Sequence, residues 1–311
     1  MKKAIVTGAN GFIGSHVITE LVNHNVEVIA IVKNEDSNID SLAKNINHIK
    51  IICCTLTDLN TLPNKIADRD IDIFYHFAWE GCEGNIRINE NVQTLNALWT
   101  VNSVKVAKEL GCHRFVGAGS IMEKEALSAV YTQKNKPGMD YIYGTSKLTA
   151  HCFSKCTAAQ LGIEHVWGII TNAYGPGDMS SRFLNTTIRK IIKNEPLEFT
   201  KATQIYDFIY IADVAKAFYY IGLYGKPFCN YIVGSSNPKP LKQFIHVIQQ
   251  TLAPEREFSF GIIPFTGGNL SLDQFNTHEI EKDTEFKANV SFQEGIKKTM
   301  KWLKGINTSR Q

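Results

Sequence analysis

The chain has 311 residues, 44% of them apolar and 20% charged, with 33 basic against 30 acidic side chains and a net charge of +3. That length exceeds a usual single domain, and so even a charge balance excludes the broad basic footprint of a nucleic-acid-binding protein. Seven cysteines form no Cys-x-x-Cys pair and no even framework, so neither a metal site nor a disulfide scaffold is expected. Met1-Lys2-Lys3 runs into an apolar stretch too short for a signal peptide, and no run approaches a membrane span. A cytoplasmic protein with reduced thiols and no membrane partner is the expectation.

Residues Lys3 to Thr7 read as a buried strand, followed by Gly8-Ala9-Asn10-Gly11-Phe12-Ile13-Gly14 and an amphipathic segment to about His24. Strand, glycine turn and helix in that order suit a dinucleotide. The first two glycines permit a tight turn and close approach to a pyrophosphate, the third lets helix pack on strand, and the free amides hold the phosphates. Gly8, Asn10, Gly11, Phe12, Ile13 and Gly14 are therefore candidate cofactor residues. Val26 to Val32 is the second strand. At its end, where an acid would bind the adenosine ribose, the sequence has Val32-Lys33-Asn34. A cation in place of the acid favours NADP over NAD, with Glu35 and Asp36 keeping NAD open.

Ile49 to Cys53 is a third strand, with Asp58 and Leu59 just beyond it. Asp58 is placed either to accept from an adenine amino group or to cap a short helix. Asp72 to Phe77 is a fourth strand, delivering Phe77, Ala78 and Trp79 to the carboxyl edge where ligands of open α/β sheets bind. His76 reads as a core histidine. A helix spans about Glu90 to Leu110, stopped at Gly111, and Phe115 to Gly119 is a fifth strand that ends at Ser120.

Tyr143-Gly144-Thr145-Ser146-Lys147 follows on a helix reaching about Gln160. Tyr and Lys four apart share one helical face, and a nearby ammonium favours the phenolate, so the pair can serve as a general acid/base. Glu164 to Ile170 is a sixth strand, and Thr171 to Asp178 reads as a loop leaving the nucleotide-binding unit. Beyond it come a helix around Phe183 to Lys193, short strands at Leu197–Thr200 and Ile205–Ile209, a helix from Asp213 to Leu223, and a strand from Asn230 to Gly234 returning to the main sheet. The fold class is α/β: a doubly wound parallel (Rossmann) sheet over 1–171, rejoined by 212–235, with a smaller C-terminal α/β substrate domain from 172–211 and 236–311.

The ordered set of Gly8-x-x-Gly11-x-x-Gly14, Asp58-Leu59, His76-Phe77-Ala78, Asn96, Ser120, Tyr143-x-x-x-Lys147, Asn172-Ala173-Tyr174-Gly175-Pro176-Gly177 and Asp207 to Val214 resembles the extended short-chain dehydrogenase/reductases, in their nucleotide-sugar epimerase/reductase branch. The resemblance implies that Tyr143 moves the proton of a sugar hydroxyl, Ser120 binds the same oxygen, and Lys147 holds the nicotinamide ribose, with Asn96 on the cofactor side. It also implies that Trp79, Ile121, Asn172, Phe183, Gln204 and Tyr206 line the nucleotide-sugar side. Dehydratases of the family carry Asp-Glu after the hydroxyl residue, whereas Ile121-Met122 stands here. A 4-keto reductase is thus favoured, with a C4 epimerase retaining NAD as the alternative and a non-catalytic NAD(P)-sensing regulator as a further one. The family often has Arg where this chain has Tyr206, and Arg182 or Arg189 could grip the diphosphate instead. A homodimer through the helices around Asn96 and Lys147 is the family-level expectation.

Overall fold

The computed structural model describes residues 1–265 and 267–308. Thr266 and residues 309–311, which the sequence reading assigned to the substrate domain, lie outside the described residues. Seven parallel strands form the central sheet. Six come from residues 3–170: β1 (Lys3–Thr7), β2 (Glu27–Val32), β3 (Ile49–Cys53), β4 (Ile73–His76), β5 (Arg114–Ser120) and β6 (Glu164–Ile170). Between them run α1 (Phe12–Asn23), α2 (Leu62–Lys65), α3 (Glu90–Glu109), α4 (Met122–Tyr131) and α5 (Tyr141–Leu161). The strand Asn230–Val233 completes the sheet beside β6, and the order across it is Asn230–Val233, β6, β5, β4, β1, β2, β3.

Side chains alternate between the two faces, as the pleat requires. Ile5, Phe74, Phe115 and Trp167 enter the core under α3 and α5, while Ala4, Val6, Tyr75, Val116 and Val166 enter the core on the other face. Both faces are covered, which is why the strands are apolar almost throughout. Chain order reverses between β1 and β4, so a crevice opens above their carboxyl ends. Gly8, Ala78 and Ser120 follow or end these neighbouring strands.

The remaining described residues form three two-stranded ribbons and a set of helices. Asn172–Tyr174, read from sequence as loop, is a short strand paired in parallel with Phe208–Tyr210. Ile205–Tyr206 pairs with Lys239–Pro240, and Glu198–Phe199 with Ser259–Phe260. The helices are α6 (Phe183–Ile192), α7 (Ile211–Tyr224), α8 (Leu241–Leu252), α9 (His278–Thr284) and α10 (Phe292–Thr308). Buried Asp207 joins this region to the sheet: it accepts from the Thr171 hydroxyl at 3.1 Å, the Ser235 amide at 2.8 Å and the Ser235 hydroxyl. Asp213 takes the amides of Asn289 and Val290 at 3.1 and 2.9 Å, anchoring the chain just before α10. Among the described residues, no helix is long and apolar enough to cross a membrane.

Candidate active site

Two cavities lie along the carboxyl edge of the sheet. The smaller, about 170 Å³, is walled by Gly8, Asn10, Val32, Lys33, Leu59 and Ala78, among others. Close backbone packing shapes its glycine-turn side. Gly8 has φ +66°, and a Cβ there would stand 2.7 Å from the Ala78 nitrogen; one on Gly14 would stand 2.2 Å from the Gly8 carbonyl oxygen. Neither position accepts a side chain without moving the turn. The Gly11 amide closes the turn on Gly8 O at 3.0 Å, and no side chain caps α1, so its first-turn amides and dipole remain for an anion. Phe12 packs edge-on to His16, and Ile13 reaches the neighbouring cavity. A cradle that a methyl would fill, with an uncapped helix behind it, fits the pyrophosphate of a dinucleotide.

Lys33 stands at the groove wall with its ammonium 3.4 Å from the Glu80 carboxylate. A carboxylate thus faces Lys33 from the loop after β4. Leu59 reaches the groove, but Asp58 does not line it: its exposed carboxylate accepts from the Thr55 hydroxyl at 2.6 Å. Asn96 is buried one layer deeper and lines neither cavity. Its amide nitrogen donates to the Glu80 carbonyl and its oxygen accepts the Glu80 amide, both at 2.8 Å. Gln93, which the motifs did not mark, donates to Gly81 O at 2.9 Å and accepts the Trp79 indole N–H at 2.9 Å. Buried Gln93, Asn96, Thr100 and Ser103 form a polar stripe on α3 at helical spacing. That stripe was the available sequence signal that this helix holds a loop. His76 sits against it as a core histidine, Nδ1 2.9 Å from the Thr7 hydroxyl and 3.2 Å from that of Ser103.

The larger cavity, about 340 Å³, is lined by Ser120, Tyr143 and Lys147 together with Phe77, Trp79, Ile121, Asn172, Phe183 and Tyr206. Trp79 belongs to both cavities, so a ligand running from one to the other passes its ring. Behind Ser120 the strand carries Gly117 and Gly119, and Trp167 lies in the space they leave: a Cβ on Gly119 would come 2.2 Å from the indole nitrogen. Buried Glu123 accepts the Ser120 amide at 2.9 Å and the Trp167 N–H at 3.1 Å, and meets His151 Nδ1 at 3.0 Å. The hydroxyl-bearing strand end is therefore held from beneath. The Ser120 hydroxyl accepts the Met122 amide at 3.3 Å.

Tyr143 and Lys147 both line the cavity from α5. The ammonium donates to Ala118 O at 2.9 Å and sits 3.6 Å from the centre of the Trp79 ring, but 5.9 Å from that of Tyr143. Burial pulls Lys147 down to about 8, and burial pushes the Tyr143 phenol up to about 12, with Arg182 and Arg87 drawing it partly back. Arg182 and Arg87, which favour the phenolate, come from outside α5.

On the far side, Asn172 donates to Asp207 O at 3.0 Å, and Phe183 packs with Phe199 and Phe208. Gln204 lies outside the cavity; it is buried, and its carbonyl accepts the Leu241 amide at 2.9 Å. Arg182 lines the cavity, whereas Arg189 donates to Ser180 O and Met179 O at 2.7 and 3.0 Å and so secures the loop ahead of α6. Arg87, Cys82 and Glu125 also line it and were not found from sequence. Their segments, the loop after β4, a 3₁₀ turn at Gly84–Ile88 and the helix α4, carry no motif. Glu125 and Asp178 are acids on the cleft, and the Glu125 carboxyl is raised by burial and lowered by Arg87.

A model of the NAD dependent epimerase/dehydratase family matches residues 4–234. The chain is 25% identical to a putative UDP-glucose 4-epimerase of Methanocaldococcus jannaschii, over 97% of this chain and 99% of that one. It is 23% identical to CDP-abequose synthase of Salmonella muenchen, over 96% and 97% respectively. Among solved structures, the Thermotoga maritima UDP-glucose 4-epimerase with UDP-glucose shares the fold at a TM-score of 0.81 and 16% identity, covering 98% of this chain and 99% of that one. The Bordetella bronchiseptica enzyme WbmF in complex with NAD+ does so at 0.78 and 20%, covering 99% and 94%. With most of its length matched by the family model and its glycine turn built to approach a pyrophosphate, this chain belongs to the NAD dependent epimerase/dehydratase family of enzymes.

Proposed function

We propose that the larger cavity takes a nucleotide-linked hexose, which the enzyme interconverts between alcohol and ketone at one ring carbon, most directly by reducing a 4-keto (deoxy)sugar. The observation that carries this reading is the shared wall: Ser120, Tyr143 and Lys147 line one cavity, and Trp79 joins it to the groove at the glycine turn. A bound nicotinamide supplies the hydride. The protein's part is proton transfer and orientation. Tyr143, held protonated by burial, gives its phenolic proton to the nascent alkoxide, Ser120 donates to the same oxygen, and the Lys147 ammonium turns to the cofactor ribose.

Apolar Ile121 and Met122 wall the cleft where an eliminating enzyme would need acids, and Glu123 is occupied behind the strand. That supports redox chemistry over dehydration. Arg182 supports a diphosphate on the C-terminal side, with Asn172, Phe183 and Tyr206 around the sugar and base. Residues 172–211 and 236–311 form the substrate domain in this reading. Of the two dinucleotides, Lys33 supports NADP, while Glu80 supports NAD, since a 2′-phosphate would have to displace that carboxylate. We also propose a homodimer through α3 and α5, whose outer sides leave Leu95, Leu98 and Phe153 exposed; a monomer in sedimentation would refute it.

A panel of UDP-, CDP- and dTDP-hexoses and their 4-keto forms, incubated with NADH or NADPH, tests the reaction. Stoichiometric loss of nicotinamide absorbance with one 4-keto sugar is expected. Inversion of a sugar without net absorbance change would replace the reductase by the epimerase, and inertness of the whole panel would remove both.

A further inference from the structure

We propose that Arg87 is a positioning residue for Tyr143, a cation seated on the face of the phenol that fixes its ring and holds down its proton affinity. This deepens the reading of Tyr143 as the proton-transfer group and, for its catalytic consequence, rests on it.

The geometry is specific. The Arg87 guanidinium carbon lies 3.9 Å from the centre of the Tyr143 ring. One of its nitrogens donates to Cys82 O at 2.9 Å and another contacts the Met122 sulfur. Among the described residues, no carboxylate lies within ion-pair distance of it, so the charge is left facing the ring. A guanidinium at this distance is attracted to a neutral phenol face, and more strongly once deprotonation adds charge to the ring. The arginine is itself well supported: it sits on the 3₁₀ turn Gly84–Ile88, whose Ile86 carbonyl accepts from buried Gln93 at 3.2 Å.

The other cations around Tyr143 lie further from its ring face, with the Lys147 ammonium 5.9 Å from the ring centre. On α5, the Lys147 ammonium is directed to Ala118 O and Trp79. Cys82 from the loop after β4 and Glu123 from α4 oppose ionisation, and Arg182 from the segment before α6 favours it. Glu125 lies on the cavity wall, with Arg87 pulling its carboxyl down. Arg87 is thus the cation nearest the ring face, at 3.9 Å against 5.9 Å for Lys147.

The test replaces tyrosine with 3,5-difluorotyrosine, a more acidic phenol that titrates where the fold survives, and follows Tyr143 by fluorine NMR. Its resonance is assigned by its loss in Tyr143→Phe. In Arg87→Met the Tyr143 titration should move to higher pH by about one unit, and in Arg87→Lys by less, because a point charge retains part of the attraction. With a substrate from the panel above, the pH limb of turnover should move by the same amount. An unmoved Tyr143 titration in both variants overturns the proposal, whatever happens to KM. A titration that moves while turnover ignores it supports the contact between Arg87 and Tyr143 and overturns instead the assignment of Tyr143 as proton-transfer group.

Discussion

The groove at the glycine turn and the cleft beside it share the edge of one sheet but are made of different materials. The groove has one wall of closely packed backbone, at Gly8 and Gly14 and the ends of β1 and β4. The cleft depends on long side chains that arrive from α4, α5, the turn at Gly84–Ile88 and the C-terminal region. A backbone cradle tolerates almost no substitution and recognises a generic diphosphate. A wall of side chains can be altered residue by residue, so this is where relatives of one fold come to differ in substrate.

Substitutions in the two cavities should therefore separate cleanly. Tyr143→Phe should cut turnover by about 10³-fold while leaving NAD affinity little changed, measured by steady-state kinetics and calorimetric titration. Equal loss of both would mean that the cavities are not separable. Acid should weaken both at once. Burial holds His76, under the groove, and His165, near the amino end of β6, down at about 3, far below the usual histidine value near 6.5. The unfolded chain thus binds more protons between those values, and stability present above 6.5 is lost as pH falls. The slope approaches about 1.4 kcal/mol per pH unit for each histidine, to be read from urea unfolding at pH 7 and pH 5. His165→Gln should flatten that slope while His76 keeps the remainder.

Gly14→Ala tests the groove alone. A Cβ 2.2 Å from Gly8 O should cost about 1–3 kcal/mol by thermal unfolding and weaken NAD more than it weakens a nucleotide sugar. The smallest effect belongs to Lys33→Ala, which should lower NADPH affinity relative to NADH by about two- to fivefold, since the ammonium is exposed and already paired with Glu80. Equal effects on the two dinucleotides would remove the case for NADP.

Much of the architecture was legible because β1 to β6 are apolar runs bounded by turns, and period and length separate them from the intervening helices. Residues whose chemistry is tied to local spacing, such as the glycine turn and the pair Tyr143 and Lys147, could be read as one unit. Asp58 and Asn96 also stood in recognisable motifs, yet their side chains hold Thr55 and the Glu80 backbone. Arg87 and Glu125 had no local signature, because each reaches the cleft from an element placed there by long-range packing.

From the order of its residues alone, this chain determined a parallel sheet, a dinucleotide turn and a helix presenting Tyr143 and Lys147 on one face, since each depends on neighbours within a few positions. Tertiary structure decided what surrounds them: Glu80 across from Lys33, Arg87 on the ring of Tyr143, and Glu123 beneath Ser120. Charge and burial act through space, and the groups that set the proton affinity of Tyr143 lie on several separate segments that only folding brings together.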